Sequence, residues 1–265
     1  MDQAATLRRL VADSTSVAAD GTAARMLVLM GGGPRIGLTT LAVELASTLA
    51  ADALRVVLID ADLYTAADPR ADLAHRCGLS DAAGLGEVLG GSRSIHELLQ
   101  LGPAGVQVIA GSRLREASQS LTERSVRRCC RQMQSLARHV DWIVVDAGSE
   151  SNLLTARLAS LADHLWLLTS TDAVAIMDTY ALMKTLITGA GLARPLELIV
   201  SGAEPGQAFD VHRRIDQSCR RFLGRAVNLA GRFVINPGGP TSDCVEMLAR
   251  HLTEPADEPV RRRAA

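Results

Sequence analysis

The segment Gly31-Gly32-Gly33-Pro34-Arg35-Ile36-Gly37-Leu38-Thr39-Thr40 decides how this chain is read. An apolar β-type run, Met26-Leu27-Val28-Leu29-Met30, leads into it. A helical pattern, Leu38-Thr39-Thr40-Leu41-Ala42-Val43-Glu44-Leu45-Ala46, leads out. Strand, glycine loop and helix in that order form a phosphate-binding frame, because loop amides and the helix N-terminus point at anionic oxygens. The frame lacks its lysines. Leu38 stands just before the Thr pair, and the only lysine among the 265 residues is Lys184.

Outward from the loop, apolar β-runs alternate with helical segments as far as about residue 252. The runs lie at 26–30, 55–60, 106–110, 141–146, 164–169, 196–200 and 229–235. Most are continuous rather than alternating, the pattern of parallel strands covered on both faces. The expectation is an α/β fold with a single doubly wound, mostly parallel sheet, helices on both faces and ligand chemistry at the strands' carboxyl ends. Residues 1–12 read as a short helix with Leu7, Leu10 and Val11 on one face, 13–24 as a flexible linker of small and polar residues, 25–252 as the folded domain, and 253–265 as a disordered tail.

Composition narrows the functional classes. A formal net charge of -1 gives no global basic field for nucleic acid. Arg124, Arg127, Arg128, Arg131 and Arg138 are read as a solvated helix face. Cys77, Cys129, Cys130, Cys219 and Cys244 show no metal spacing and fit reduced thiols in a cytoplasm. The six histidines are scattered and suggest no triad or zinc site. No apolar run reaches membrane-span length. The final helix, at about 241–252, places Val245, Leu248, Ala249 and Leu252 on one core-packing face, so any membrane recruitment would be indirect.

Two further strands end in acid: 55–60 runs into Asp60-Ala61-Asp62, and 141–146 ends at Asp146-Ala147-Gly148. Carboxylates at strand ends beside a phosphate loop hold Mg²⁺ and orient water, although an isolated Asp there also serves simply to cap a turn. With the loop, these strands resemble the MinD/ParA family of P-loop ATPases with a deviant Walker A motif, over roughly residues 26–236. That family's Lys-Gly-Gly-x-Gly-Lys-Thr-Thr loop corresponds to Gly33-Pro34-Arg35-Ile36-Gly37-Leu38-Thr39-Thr40. Ala173 to Leu186 resembles the family's helix after its sixth strand. Within it, Asp2-Gln3-Ala4-Ala5-Thr6-Leu7-Arg8 resembles the Asp-Gln-Ala-x-x-Leu-Arg motif of the FlhG (FleN/YlxH) regulators of flagellar number, and Arg221-Phe222-Leu223-Gly224 is similar as well.

The resemblance implies ATP and Mg²⁺ as cofactors, with Gly33, Arg35, Gly37, Leu38, Thr39 and Thr40 at the nucleotide, Thr39, Asp60 and Asp146 at the metal, and Asp62 as residual catalytic group. It implies a FlhF-like GTPase engaged through Asp2, Gln3, Ala4, Leu7 and Arg8, flagellar basal-body or regulatory proteins as further partners, and recruitment to the cell pole. The departures from the family pattern set limits on this. Leu38 and Gly33 replace both lysines. Pro34 removes an amide donor, Glu150 stands where a γ-phosphate-sensing glycine belongs, and Val200-Ser201-Gly202 lacks the adenine-reading Asn. Loss of one desolvated charge pair removes about 2–5 kcal/mol. The expectation is therefore that ATP hydrolysis is lost, that Mg·ATP binds weakly if at all, and that a lysine-dependent ATP-sandwich dimer does not form. Two alternatives stay open: an ATPase switch with Arg35 as surrogate cation, and a degenerate ParA-like polarity adaptor.

Overall fold

Period-two alternation inside the apolar runs sorts their side chains between two cores. In β1 (Arg25–Gly31), Met26, Val28 and Met30 enter one core while Leu27 and Leu29 enter the other. The same division holds in β2 (Val56–Asp60) and β5 (Trp142–Asp146), whose five residues are all buried. Strands wet on one face would read as alternating; these are covered on both. The computed structural model describes residues 24–63, 73–79, 83–111, 121–192, 194–234 and 243–254.

Helix α1 (Leu38–Ala51) follows β1, and α2 (Leu73–Arg76) and α3 (Leu85–Gly90) follow β2. Then come β3 (Gln100–Leu101), β4 (Gln107–Ile109), α4 (Glu123–Leu136), β5, α5 (Leu153–Leu161) and β6 (His164–Ser170). The chain continues through α6 (Ala173–Ala190), β7 (Leu196–Ser201), α7 (Pro205–Leu223), β8 (Val227–Phe233) and α8 (Asp243–Thr253). The eight strands form one sheet in the order β3-β4-β2-β5-β1-β6-β7-β8, parallel except for the short β3, which runs antiparallel to β4. Helices α3 to α7 pack on one face, and α1, α2 and α8 on the other. This is the doubly wound architecture expected from the sequence.

From β1 the chain goes to β2 on one side of the sheet, while β6, β7 and β8 lie on the other. The crevice at such a reversal opens at the strands' carboxyl ends, so the topology puts the 31–40 loop there. Buried Leu41, Leu45 and Leu49, one helical turn apart, fasten α1 to the sheet. Each contributes about 1.5–3 kcal/mol of apolar burial.

Three features differ from the sequence reading. β3 was not expected. β8 begins at Val227 rather than at 229 and carries an irregularity: Leu198 faces Leu229, but Ile199 faces Gly231, leaving Ala230 over. Arg128 is not part of a solvated face. Its guanidinium donates to the carbonyls of Val88 and Leu89 and closes the end of α3, while Arg124, Arg127, Arg131 and Arg138 are exposed. The segments 1–12 and 13–23, with Asp2, Gln3, Ala4, Leu7 and Arg8, and the tail from 255 onward lie outside the described residues. No helix among the described residues is long and apolar enough to cross a membrane.

Candidate functional site: a phosphate loop without its cations

The loop keeps the backbone path of an anion cradle. Gly31 donates its N–H to Gly148 O at 3.0 Å and Gly32 donates to Leu168 O at 2.9 Å, so the loop is tied to the ends of both neighbouring strand connections. Gly37, at φ 94°, starts α1, and Leu41 N–H returns to its carbonyl at 2.9 Å. A glycine N-cap offers no side chain to the first-turn amides, and α1 has no acid in that turn. The helix terminus therefore presents N–H groups toward the loop. Arg35 adopts φ 60°, a left-handed conformation that a glycine would hold without strain.

The positions around that path carry the wrong chemistry for a polyphosphate. Leu38 is 8% exposed and belongs to the core beneath α1. A Cβ on Gly31 would meet Ile36 Cδ1 at 2.9 Å and Leu38 Cδ2 at 3.5 Å, so two aliphatic chains converge under the loop. Across from it, the carboxylate of Asp178 on α6 stands 3.8 Å from where a Cβ of Gly33 would project. In place of a cation, this cradle has an acid nearby. Arg35 is exposed on the outer turn.

The loop is also fixed against α6. A Cβ at Gly32 would fall 1.8 Å from Thr179 Oγ1 and 2.6 Å from both Ala175 O and Thr179 N. Because two of these atoms are backbone, Gly32→Ala forces the loop and helix apart. We expect a loss of about 1–3 kcal/mol, read as a lower urea midpoint at unchanged m-value.

The acidic residues lie together at the ends of β2 and β5. Asp60 and Asp146 are opposite one another in the β2–β5 register, 7% and 2% exposed. Asp60 Oδ1 accepts from Asp62 N–H at 3.0 Å, and Asp146 Oδ1 from Gly148 N–H at 3.2 Å. Gly148, at φ 67°, lies so close to Asp62 that a Cβ would sit 2.5 Å from its Cγ. Thr39 donates its hydroxyl to Asp146. Burial pushes the Asp146 carboxyl up to about 6, helped by the charge of Asp62 and opposed by the Thr39 and Gly148 hydrogen bonds and by Arg76.

A raised carboxyl pKa has a definite sign in stability. The favourable contribution is fully present below the unfolded value near 4 and is lost as pH rises through about 6. Asp146→Asn removes the buried charge while its carboxamide oxygen still accepts from Thr39 and Gly148. We expect it to stabilise the protein at pH 7.5 by on the order of 2 kcal/mol. The gain should fall to about half at pH 5 and vanish only below the unfolded value near 4, which urea titrations of both proteins at pH 7.5 and 5 would measure.

The oxygen donors Thr39, Asp60 and Asp146 suit a hard cation. Among the described residues, however, no three His, Cys, Asp or Glu side chains are grouped to hold a metal ion. Mg²⁺ here would depend on waters and phosphate oxygens, and the cradle does not fit the phosphates: Leu38 brings no cation, Pro34 no amide donor, and Asp178 adds an acid beside Gly33. Glu150 is exposed beyond the β5 turn. Ser201 ends β7, and the N–H of Gly202 is taken by Phe233 O at 2.8 Å.

Sequence reasoning missed Asp178 and the Ala175/Thr179 seat for Gly32. The Ala175–Thr179 i,i+4 spacing on α6 was the available signal for a close loop contact. Cys129 and Cys130 are buried, and desolvation pushes the Cys129 thiol up to about 12, an inert state.

Sheet order, loop and acid-ended strands define a P-loop fold of the MinD/ParA type. A family model described as an AAA domain matches residues 28–189, and the chain belongs to that family. The MinD cell division ATPase of Pyrococcus furiosus superposes with a TM-score of 0.65 at 19% identity, covering 86% of this chain and 98% of that one. A chain of the MinC:MinD cell division protein complex of Aquifex aeolicus gives 0.66 at 18% identity, covering 90% and 99%. The antiactivator FleN of Pseudomonas aeruginosa is 25% identical over 207 residues, 78% of this chain and 72% of its own length. These matches agree with the FlhG-like, MinD/ParA membership expected from the motifs.

Proposed function

We propose that this chain is a regulator of flagellar number and placement of the FlhG type, acting through its N-terminal segment on a FlhF-like GTPase, with nucleotide hydrolysis lost. The observation that carries the second half is the cradle itself: the backbone path persists while Leu38 is turned into the core and Asp178 faces Gly33. The similarity to the antiactivator FleN supports the flagellar setting.

In this reading Asp2, Gln3 and Ala4 enter the partner's GTPase site, with Gln3 ordering groups around the reacting phosphate, and Leu7 and Arg8 hold the segment in place. The folded domain is the platform that meets basal-body or regulatory proteins. Its net charge of -1 offers no field for nucleic acid, and polar localisation would come through those partners. Gln3→Ala in a mixture with the GTPase tests the proposal.

A second reading, a switch that still binds Mg·ATP weakly, is favoured by the retained Thr39–Asp146 hydrogen bond. Calorimetric titration with Mg·ATP separates the two.

A further inference from the structure

At the opposite pole of the sheet, two of the six histidines meet. Arg25, Trp142, His164, Trp166 and Glu197 begin or nearly begin β1, β5, β6 and β7, and their registers point them to the face covered by α8. Glu197 Oε2 accepts from Trp166 Nε1–H at 2.7 Å and faces His251 Nε2 of α8 at 3.2 Å. His164 Nδ1 stands 3.6 Å from Glu197 Oε1, and its Nε2 is 2.8 Å from Arg25 Nη2. The second Arg25 nitrogen, Nη1, donates to Leu252 O at 2.7 Å, in the last turn of α8, while the guanidinium lies 4.8 Å from the Trp142 ring centroid.

Chemistry fixes the His164 tautomer. A guanidinium only donates, so Nε2 must accept and the imidazole must be neutral with its proton on Nδ1. That buried Nδ1 makes no hydrogen bond; it is directed at Glu197 from just beyond bonding distance. One imidazole thus holds the cation that caps α8. The geometry points to a proton-operated latch: protonation of His164 at Nε2 sets a cation against the Arg25 guanidinium, and Arg25 leaves, releasing the carboxyl end of α8. The imidazolium keeps its place beside Glu197, so Arg25 is the group displaced.

The other charged neighbours do not mimic this step. Glu197 faces uncharged Asn228 on β8 and Trp166 on β6. Burial works to raise its pKa, but His164, Trp166 and His251 outweigh that and hold it below the ordinary carboxylate value. Stability from Glu197 is therefore lost only as pH falls through that lowered value, below the imidazole range. His251, half exposed, faces Glu197 at 3.2 Å from α8 itself. Asp163 accepts from Met26 N–H, Asp141 pairs with Arg55, and Arg250 pairs with Glu246 on the exposed side of α8. Glu44, the titratable group of α1, has Arg76 as its charged neighbour.

The test is amide hydrogen exchange of the α8 peptide in the full chain, corrected for intrinsic rates. Protection should fall about tenfold between pH 7.5 and 5.5, the equivalent of one pK unit of coupling. His164→Gln, whose carboxamide oxygen accepts from Arg25 at either pH, should abolish the step. Arg25→Met, which removes the repelled cation, should abolish it as well and serves if the first variant does not fold. Trp142 lies 5.9 Å from His164 and 4.8 Å from the Arg25 guanidinium, so its fluorescence should change as Arg25 leaves. Wild-type protection that does not change with pH would overturn the latch, and so would an undiminished step in either variant.

Discussion

Leu38→Lys should bring Mg·ATP affinity up by two to three orders of magnitude. The wild-type chain should give no binding heat at about millimolar nucleotide, the weak end of the affinity scale. The loop already supplies what is hardest to build: glycine turns at Gly33 and Gly37, an uncapped helix N-terminus and the Thr39–Asp146 pair. It lacks charge. A lysine placed one residue into α1 would pair with the phosphates in a partly desolvated site, an interaction of about 2–5 kcal/mol. Restoration should be partial, because Asp178 faces Gly33 and Pro34 withholds an amide. Adding Asp178→Asn should increase the gain. Calorimetric titration of the wild type and both variants measures this, and micromolar binding by the wild type would sink the claim that the cradle has lost its ligand.

Gln3→Ala should abolish stimulation of a FlhF-like GTPase while leaving the fold intact. The side-chain amide offers both a donor and an acceptor, which is what ordering a water or a phosphate oxygen in a neighbouring active site requires. Single groups that position the nucleophile or stabilise charge in phosphoryl transfer change turnover by about three to five orders of magnitude. Loss of one should therefore return the partner to its unstimulated rate. Leu7→Asp should act differently, by weakening docking, so that its defect is recovered at higher concentration of this chain. A Gln3→Ala protein that stimulates as well as the wild type would remove the N-terminal segment from the mechanism.

The fold was legible because its signal is local. Continuous apolar runs at 26–30, 55–60 and 141–146 can be satisfied only by strands buried on both faces, and their acid or glycine ends fall where a parallel sheet opens. The elements that escaped notice are those that pairing creates rather than propensity. β3 is two residues long and exists because Gln100 and Leu101 meet Val108 and Gln107. The start of β8 carries exposed Asn228, which breaks the apolar run.

The loop's missing lysines were plain in the sequence, whereas the acid beside Gly33 was not. Asp178 follows it by well over a hundred residues, on a helix whose orientation only the packed sheet determines. The same holds for Arg128 on α3 and for His164 and His251 on Glu197. Histidines that look scattered along a chain are brought together by strand order, which no spacing rule conveys.

The most direct measurement is GTP turnover by a FlhF-like GTPase with this chain added, in the presence and absence of ATP. Stimulation should be full without ATP, unchanged when ATP and Mg²⁺ are supplied, and absent with Gln3→Ala. Stimulation that appears only with ATP, or that survives Gln3→Ala, would contradict a nucleotide-independent regulator acting through its N-terminal segment.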